Sequence, residues 1–146
     1  MKTLFRFRLW AGLLLLAGAQ CAVASTLTVV VSGVRNADGN VALAVFSSSE
    51  GFPKEDLKAV RRQVAPIGAD GVARTVFGDL PAGVYAIAAF HDDDRSGKLE
   101  TNFFGVPKKG YGFSNNPRPG LRAATFDEAR FMVPDGESAV EIRLGY

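Results

Sequence analysis

The chain has 146 residues, with 17 Lys and Arg against 15 Asp and Glu, one histidine and one cysteine. A formal charge of +2 carried in short scattered pairs such as Arg61-Arg62 and Lys108-Lys109 excludes a nucleic-acid footprint. One cysteine allows neither an internal disulfide nor a thiolate metal site, and one histidine leaves zinc or a two-histidine iron centre short of ligands.

Residues 1–24 read as a secretory signal peptide. Lys2, Arg6 and Arg8 form a basic start, Leu9 to Ala17 an apolar run centred on Leu13-Leu14-Leu15-Leu16, and Ala22-Val23-Ala24 a small-x-small cleavage site. The run is too short for a good membrane anchor. Cys21 raises a lipoprotein alternative, but Gln20 stands where a lipobox needs a small residue. Cleavage after Ala24 leaves residues 25–146, removes the only cysteine and turns the formal charge to about −1. The mature chain then has no transmembrane segment and belongs in the periplasm or outside the cell.

The rest reads as short strands separated by turn signals. Thr26–Val31 alternates Leu27, Val29 and Val31, and Val41–Phe46 follows the turn Asn36–Asn40, so the two are expected to form an N-terminal hairpin. Glu55–Val60 allows one helical turn. Gln63–Ile67, with Pro66, reads as an edge strand, and Val72–Phe77 as another strand. Val84–Phe90 is apolar on both faces and reads as a central strand. Gly105 to Gly120, rich in glycine and proline, reads as one long loop. Arg130–Val133 and Ala139–Leu144 are the last two strands, with Val140, Ile142 and Leu144 facing inward. The expectation is all-β: a single antiparallel β-sandwich of about seven strands, prealbumin-like or Ig-like.

Candidate chemistry concentrates after Phe90. Asp92, Asp94, Ser96, the Lys98 carbonyl and Glu100 fall on alternate positions with Gly97 sixth, the pattern by which a loop wraps calcium. Phe103 stands where the closing bidentate glutamate would be, so a further ligand such as Asn102 or a carbonyl would be needed. The bland alternative is a solvated turn in which Asp94 and Ser96 bond their own backbone, with Arg95 and Lys98 offsetting the charge. No cofactor is required; calcium is the one the pattern allows.

His91 lies in phase with Tyr85, Ile87 and Ala89. It is either a histidine hydrogen-bonded at a strand end or a general base. Tyr111, Phe113, Lys108 and Arg118, with His91, are candidates for a ligand platform, since aromatic faces stack while Lys and Arg reach polar groups. Phe103 and Phe104 are expected to plug the end of the core.

The segments Leu80-Pro81-Ala82-Gly83-Val84-Tyr85-Ala86, Phe90 to Asn102 and Phe104 to Asn116 together resemble DUF2141, a bacterial family of exported domains. The resemblance implies a secreted or periplasmic β-sandwich and no particular activity. The Leu80–Tyr85 turn alone also resembles that of prealbumin-like and carbohydrate-binding-like sandwiches.

Two function classes follow. The first is a non-catalytic exported module binding a glycan, a peptide or an envelope partner. The second is a small hydrolase on a transthyretin-like sandwich using His91. Such hydrolases bring several His and Arg side chains and a Tyr-Arg-Gly-Ser-type end to their site, whereas this chain has one histidine and ends Ile142-Arg143-Leu144-Gly145-Tyr146.

Overall fold

In a computed structural model that describes residues 24–146, eight strands form two sheets with almost no helix. All but the last residue of the segment expected to be a signal peptide, and Cys21 with it, lie outside the described residues. The strands are β1 (Ser25–Ser32), β2 (Asn40–Phe46), β3 (Arg61–Ala65), β4 (Ala73–Leu80), β5 (Gly83–Asp92), β6 (Tyr111–Phe113), β7 (Phe131–Val133) and β8 (Glu137–Arg143). One sheet has the order β4-β1-β8; the other is β3-β2-β5-β6, with β7 also paired to β5.

Alternation explains the buried faces. Leu27, Val29 and Val31 of β1 and Val41, Leu43 and Val45 of β2 point inward, each 3% exposed or less. They meet Phe77, Leu80, Tyr85, Ile87, Ala89, Val133 and Ile142 in one cluster that draws on both sheets. A second cluster around Phe113, Ala86, Ala124 and Ala129 lies beside it, with Phe52 and Phe126 against it. Phe52 meets Phe46, Phe113 and Phe126 with ring centroids 5.2 to 6.0 Å apart.

Four expectations change. The strand count is eight rather than seven, because β6 forms inside the segment read as a loop. The sheets are not wholly antiparallel: β1 and β8 pair in parallel from Thr26–Glu137 to Ser32–Arg143. The N-terminal hairpin does not exist. β1 pairs with β4 and β8, whereas β2 pairs with β3 and β5, so residues 33–39 cross from one sheet to the other. Gly33 permits that crossing: its φ is +82°, and a Cβ there would lie 2.8 Å from the Leu144 carbonyl. Phe103 and Phe104 do not plug the core; they are 97% and 86% exposed.

Other expectations hold. β3 is an edge strand that stops before Pro66, Asp56–Lys58 makes one 3-10 turn, and β5 is central, between β2 and the β6/β7 edge. The sheets are tied at both margins. Gln63 Nε2 donates to Thr75 Oγ1 on one side, and on the other Tyr111 and Gly145 exchange two backbone hydrogen bonds of 2.9 Å. The second tie places the chain's last residues against β6, and the functional geometry follows from it.

Candidate functional site

The acidic loop is closed by the chain itself. Residues 99–108 fold back as a hairpin: Thr101 bridges Pro107, Lys108 N–H donates to the Glu100 carbonyl, and Asn102 Oδ1 accepts from the N–H groups of Phe104 and Val106. This return carries Lys109 into the middle of the loop. Its ammonium donates to Asp92 Oδ1 (2.8 Å), Asp94 Oδ1 (2.5 Å), Ser96 Oγ (2.9 Å) and the Lys98 carbonyl (3.0 Å), with Asp93 Oδ1 at 4.0 Å. Asp92 is buried too, and its second oxygen accepts Gly97 N–H at 2.8 Å. Four of the five oxygen positions read as calcium ligands thus surround an ammonium; Glu100 is the exception and is joined to the hairpin through its carbonyl.

Electrostatics follow the geometry. The hydrogen bond from Lys109, reinforced by those from Ser96, holds the Asp94 carboxyl well below its usual range. For Lys109, burial pulls the pKa down, but the bonds and charges of Asp92 and Asp94 outweigh it, so the net shift is upward.

His91 is buried beside this loop. Nε2 lies 2.7 Å from the Asp38 carbonyl, which can only accept, so Nε2 carries a proton and donates. Nδ1, 2.9 Å from the Tyr146 hydroxyl, then accepts from it in the neutral ring. The same hydroxyl accepts Arg35 N–H at 2.8 Å, and the Arg35 guanidinium stacks 4.0 Å from the Tyr146 ring centre. Gly110 makes room for that ring, because a Cβ there would come within 2.3 Å of it. His91 therefore fastens the chain end to the 33–39 crossing, and in this arrangement neither nitrogen is left for a ligand.

Beside Tyr146 lies a cleft of about 260 Å³ lined by Tyr111, Arg118, Arg143 and Tyr146, with Gly112, Phe113, Asn116, Pro117, Pro119, Gly120 and Gly145 completing it. Its loop is sewn down by side chains. Ser114 Oγ accepts Ile87 N–H and donates to the Ala129 carbonyl, while Asn115 Nδ2 donates to the Arg130 carbonyl. Asn116 acts as a surrogate strand: Nδ2 donates to the Glu141 carbonyl at 3.1 Å and Oδ1 accepts Arg143 N–H at 2.7 Å. Both asparagines are left-handed, at φ of +62° and +49°. Arg118 is fixed between two prolines, whose φ is locked. Arg118 and Arg143 make no side-chain ion pair among the described residues, where the ion pairs belong to other arginines and lysines.

A broader depression of about 550 Å³ lies on the outer face of β1, β4 and β8, lined by Thr26, Thr28, Val76, Glu137, Ser138 and Ala139. With one charged side chain and no set of converging donors, it offers less chemistry than the smaller cleft.

Asn116 supplies a direct check on the cleft. Asn116→Ala loses two hydrogen bonds and puts a Cβ-bearing residue without a local partner at positive φ; the expected loss is about 2–3 kcal/mol in urea unfolding. Asn116→Gly, which removes the φ penalty, should lose less. Equal losses in the two variants would show that the left-handed geometry carries no cost there.

Of the five residues read as a ligand platform, Tyr111, Phe113 and Arg118 meet in the cleft, although Phe113 is mostly core. Lys108 sits on the hairpin and His91 is internal. Sequence reasoning missed Arg143, Tyr146 and Lys109. The first two were read only as strand pattern and chain end, and only the register of β8 and the Tyr111–Gly145 bridge bring them to the cleft.

Comparison with known proteins gives one family. The model of DUF2141, described as an uncharacterized protein conserved in bacteria, matches residues 29–141. No curated protein and no solved structure matches the chain.

Proposed function

Since the chain belongs to the bacterial DUF2141 family, we propose that it is a non-catalytic binding module of the periplasm or cell exterior that takes its ligand in the cleft between β6, β8 and residues 114–120. One observation carries the reading. The cleft is held by side-chain hydrogen bonds at Ser114, Asn115 and Asn116, while its two guanidinium groups have no hydrogen-bond or ion-pair partner among the described residues. A site prepared in advance and left unsatisfied is what ligand binding requires.

The apolar leader of residues 1–24 supports export, and among the described residues no helix is long and apolar enough to cross a membrane. The engagement of both His91 nitrogens supports a non-catalytic role, because a hydrolase built on His91 would first have to free one of them. The acidic loop serves stability: its cation is Lys109, and a calcium ion at the same oxygens would have to displace a buried ammonium. On this reading no cofactor is required.

The test is a panel of glycans and peptides applied to the purified protein with amide chemical shifts as readout. At least one ligand should move Gly112, Asn116 and Gly145 together. A ligand that binds while shifting only resonances elsewhere would sink the assignment of the cleft.

A further inference from the structure

Resting on that reading, we infer that the cleft takes an acidic saccharide: one sugar ring carrying an anionic group. Its lining holds two guanidinium groups and no acidic side chain. Guanidinium is a planar fork that grips a carboxylate or phosphate with two parallel bonds, which a lysine cannot do.

The two forks come from separate supports. The Arg118 backbone is restricted by its flanking prolines. Arg143 is set by β8 and by the bond from its N–H to Asn116. Each can therefore close on the anion without ordering the loop first, which limits the entropic cost of binding.

The rest of the cleft suits a ring with hydroxyls. The Tyr111 hydroxyl makes no protein hydrogen bond among the described residues, so it is free to bond a sugar hydroxyl, and its ring is braced edge-on against Phe113 with centroids 5.8 Å apart. Tyr146 only borders the cleft: its hydroxyl serves His91 and Arg35, the Arg35 guanidinium stacks on its ring and Gly110 lies against it, so the stacking face is that of Tyr111. Aromatic faces pack against the C–H face of a sugar. A volume of about 260 Å³ is below the roughly 300–1,000 Å³ of pockets that enclose drug-sized molecules, so one ring enters at a time.

The anion has two chemical sources, a uronic-acid carboxylate and a sugar phosphate, and the experiment separates them. The full processed protein is titrated with galacturonate trisaccharide, glucose 6-phosphate, neutral glucose trisaccharide and inorganic phosphate, following the Gly112 and Gly145 amides. One or both acidic sugars should bind at least tenfold more tightly than the neutral one and than inorganic phosphate. Arg118→Ala should weaken that binding roughly tenfold to a hundredfold, with Arg118→Lys between it and the native protein. Arg118 is exposed and makes no ion pair among the described residues, so the melting temperature of these variants should not change, and lost binding cannot be put down to unfolding.

Equal binding of neutral and acidic sugars, or acidic-sugar binding indifferent to Arg118→Ala and Arg143→Ala, would overturn the ligand class while leaving the binding module intact. Movement of the cleft amides by peptides alone would do the same. Silence of those amides toward every compound, the broad panel included, would remove both the ligand class and the cleft.

Discussion

Lys109→Met should destabilise the protein by about 3–5 kcal/mol, a fall of roughly 10–20 °C in melting temperature. The substitution keeps most of the side-chain volume and removes the ammonium from the centre of the loop. Asp92 is then left buried with its Oδ1 facing no cation, and Asp93 and Asp94 repel it from beside. Breaking a buried pair from one side costs far more than exchanging both partners. Lys109→Met combined with Asp92→Asn should therefore recover a large part of the loss. A truncation exposes the cation pattern. Millimolar calcium should raise the melting temperature of Lys109→Ala, which empties the space between the loop oxygens, and leave the native protein unchanged. A calcium-dependent rise in the native protein, or a Lys109→Met loss below about 1 kcal/mol, would refute the internal cation.

The pH dependence of that loss has a defined sign. The Asp94 carboxyl sits below its ordinary value in the folded state, so its contribution is present above that ordinary value and disappears as pH falls through the folded one. Lys109 sits above its ordinary 10.5, so its contribution is complete below 10.5 and disappears as pH rises through the higher folded value. The difference between native and Lys109→Met should stay flat from about pH 5 to 9 and shrink at both extremes. Urea unfolding across that range and beyond both of its ends is the check.

Much of this was legible in the chain. Leu27, Val29 and Val31, or Val140, Ile142 and Leu144, announce half-buried strands by period alone, and both sets are inward. Period says nothing about which sheet a strand joins. The turn at Asn36–Asn40 looks like a hairpin because its glycine takes positive φ, yet the same geometry serves a crossing between sheets. β6 was hidden because three residues containing a glycine show no alternation, and its pairing depends on the partner strand β5. The oxygen pattern of the acidic loop was legible at Asp92, Asp94, Ser96 and Lys98, but the cation was not, since Lys109 is 17 residues away from Asp92. A signal existed: pairing Thr101 with Pro107 around the Asn102–Gly105 turn brings residues 108–109 back beside residues 98–100. The cleft was half legible, because Tyr111 and Arg118 belong to the Gly105–Gly120 segment and read as candidates for a ligand platform, whereas Arg143 is an outward residue of an ordinary strand.

Ser114→Ala carries the second large effect. Ser114 is fully buried, and one atom of it does the work of a strand: Oγ accepts Ile87 N–H at 2.8 Å where the ladder from β6 would otherwise end, and donates to the Ala129 carbonyl at 2.6 Å. Removing the hydroxyl leaves a donor and an acceptor without partners where water cannot reach them, each worth about 1–3 kcal/mol, while the lost volume is too small to matter much. A loss of about 2–4 kcal/mol in urea unfolding is expected, against less than about 0.5 for Ser48→Ala on the surface. Because the cleft loop begins at Ser114, the damage should also be local. Hydrogen exchange should quicken at Ile87 and Asn116 before it does in β1. A uniform rise in exchange across both sheets would mean that Ser114 supports the whole core rather than the cleft, and a loss under about 1 kcal/mol would mean that another group or a water replaces its hydroxyl.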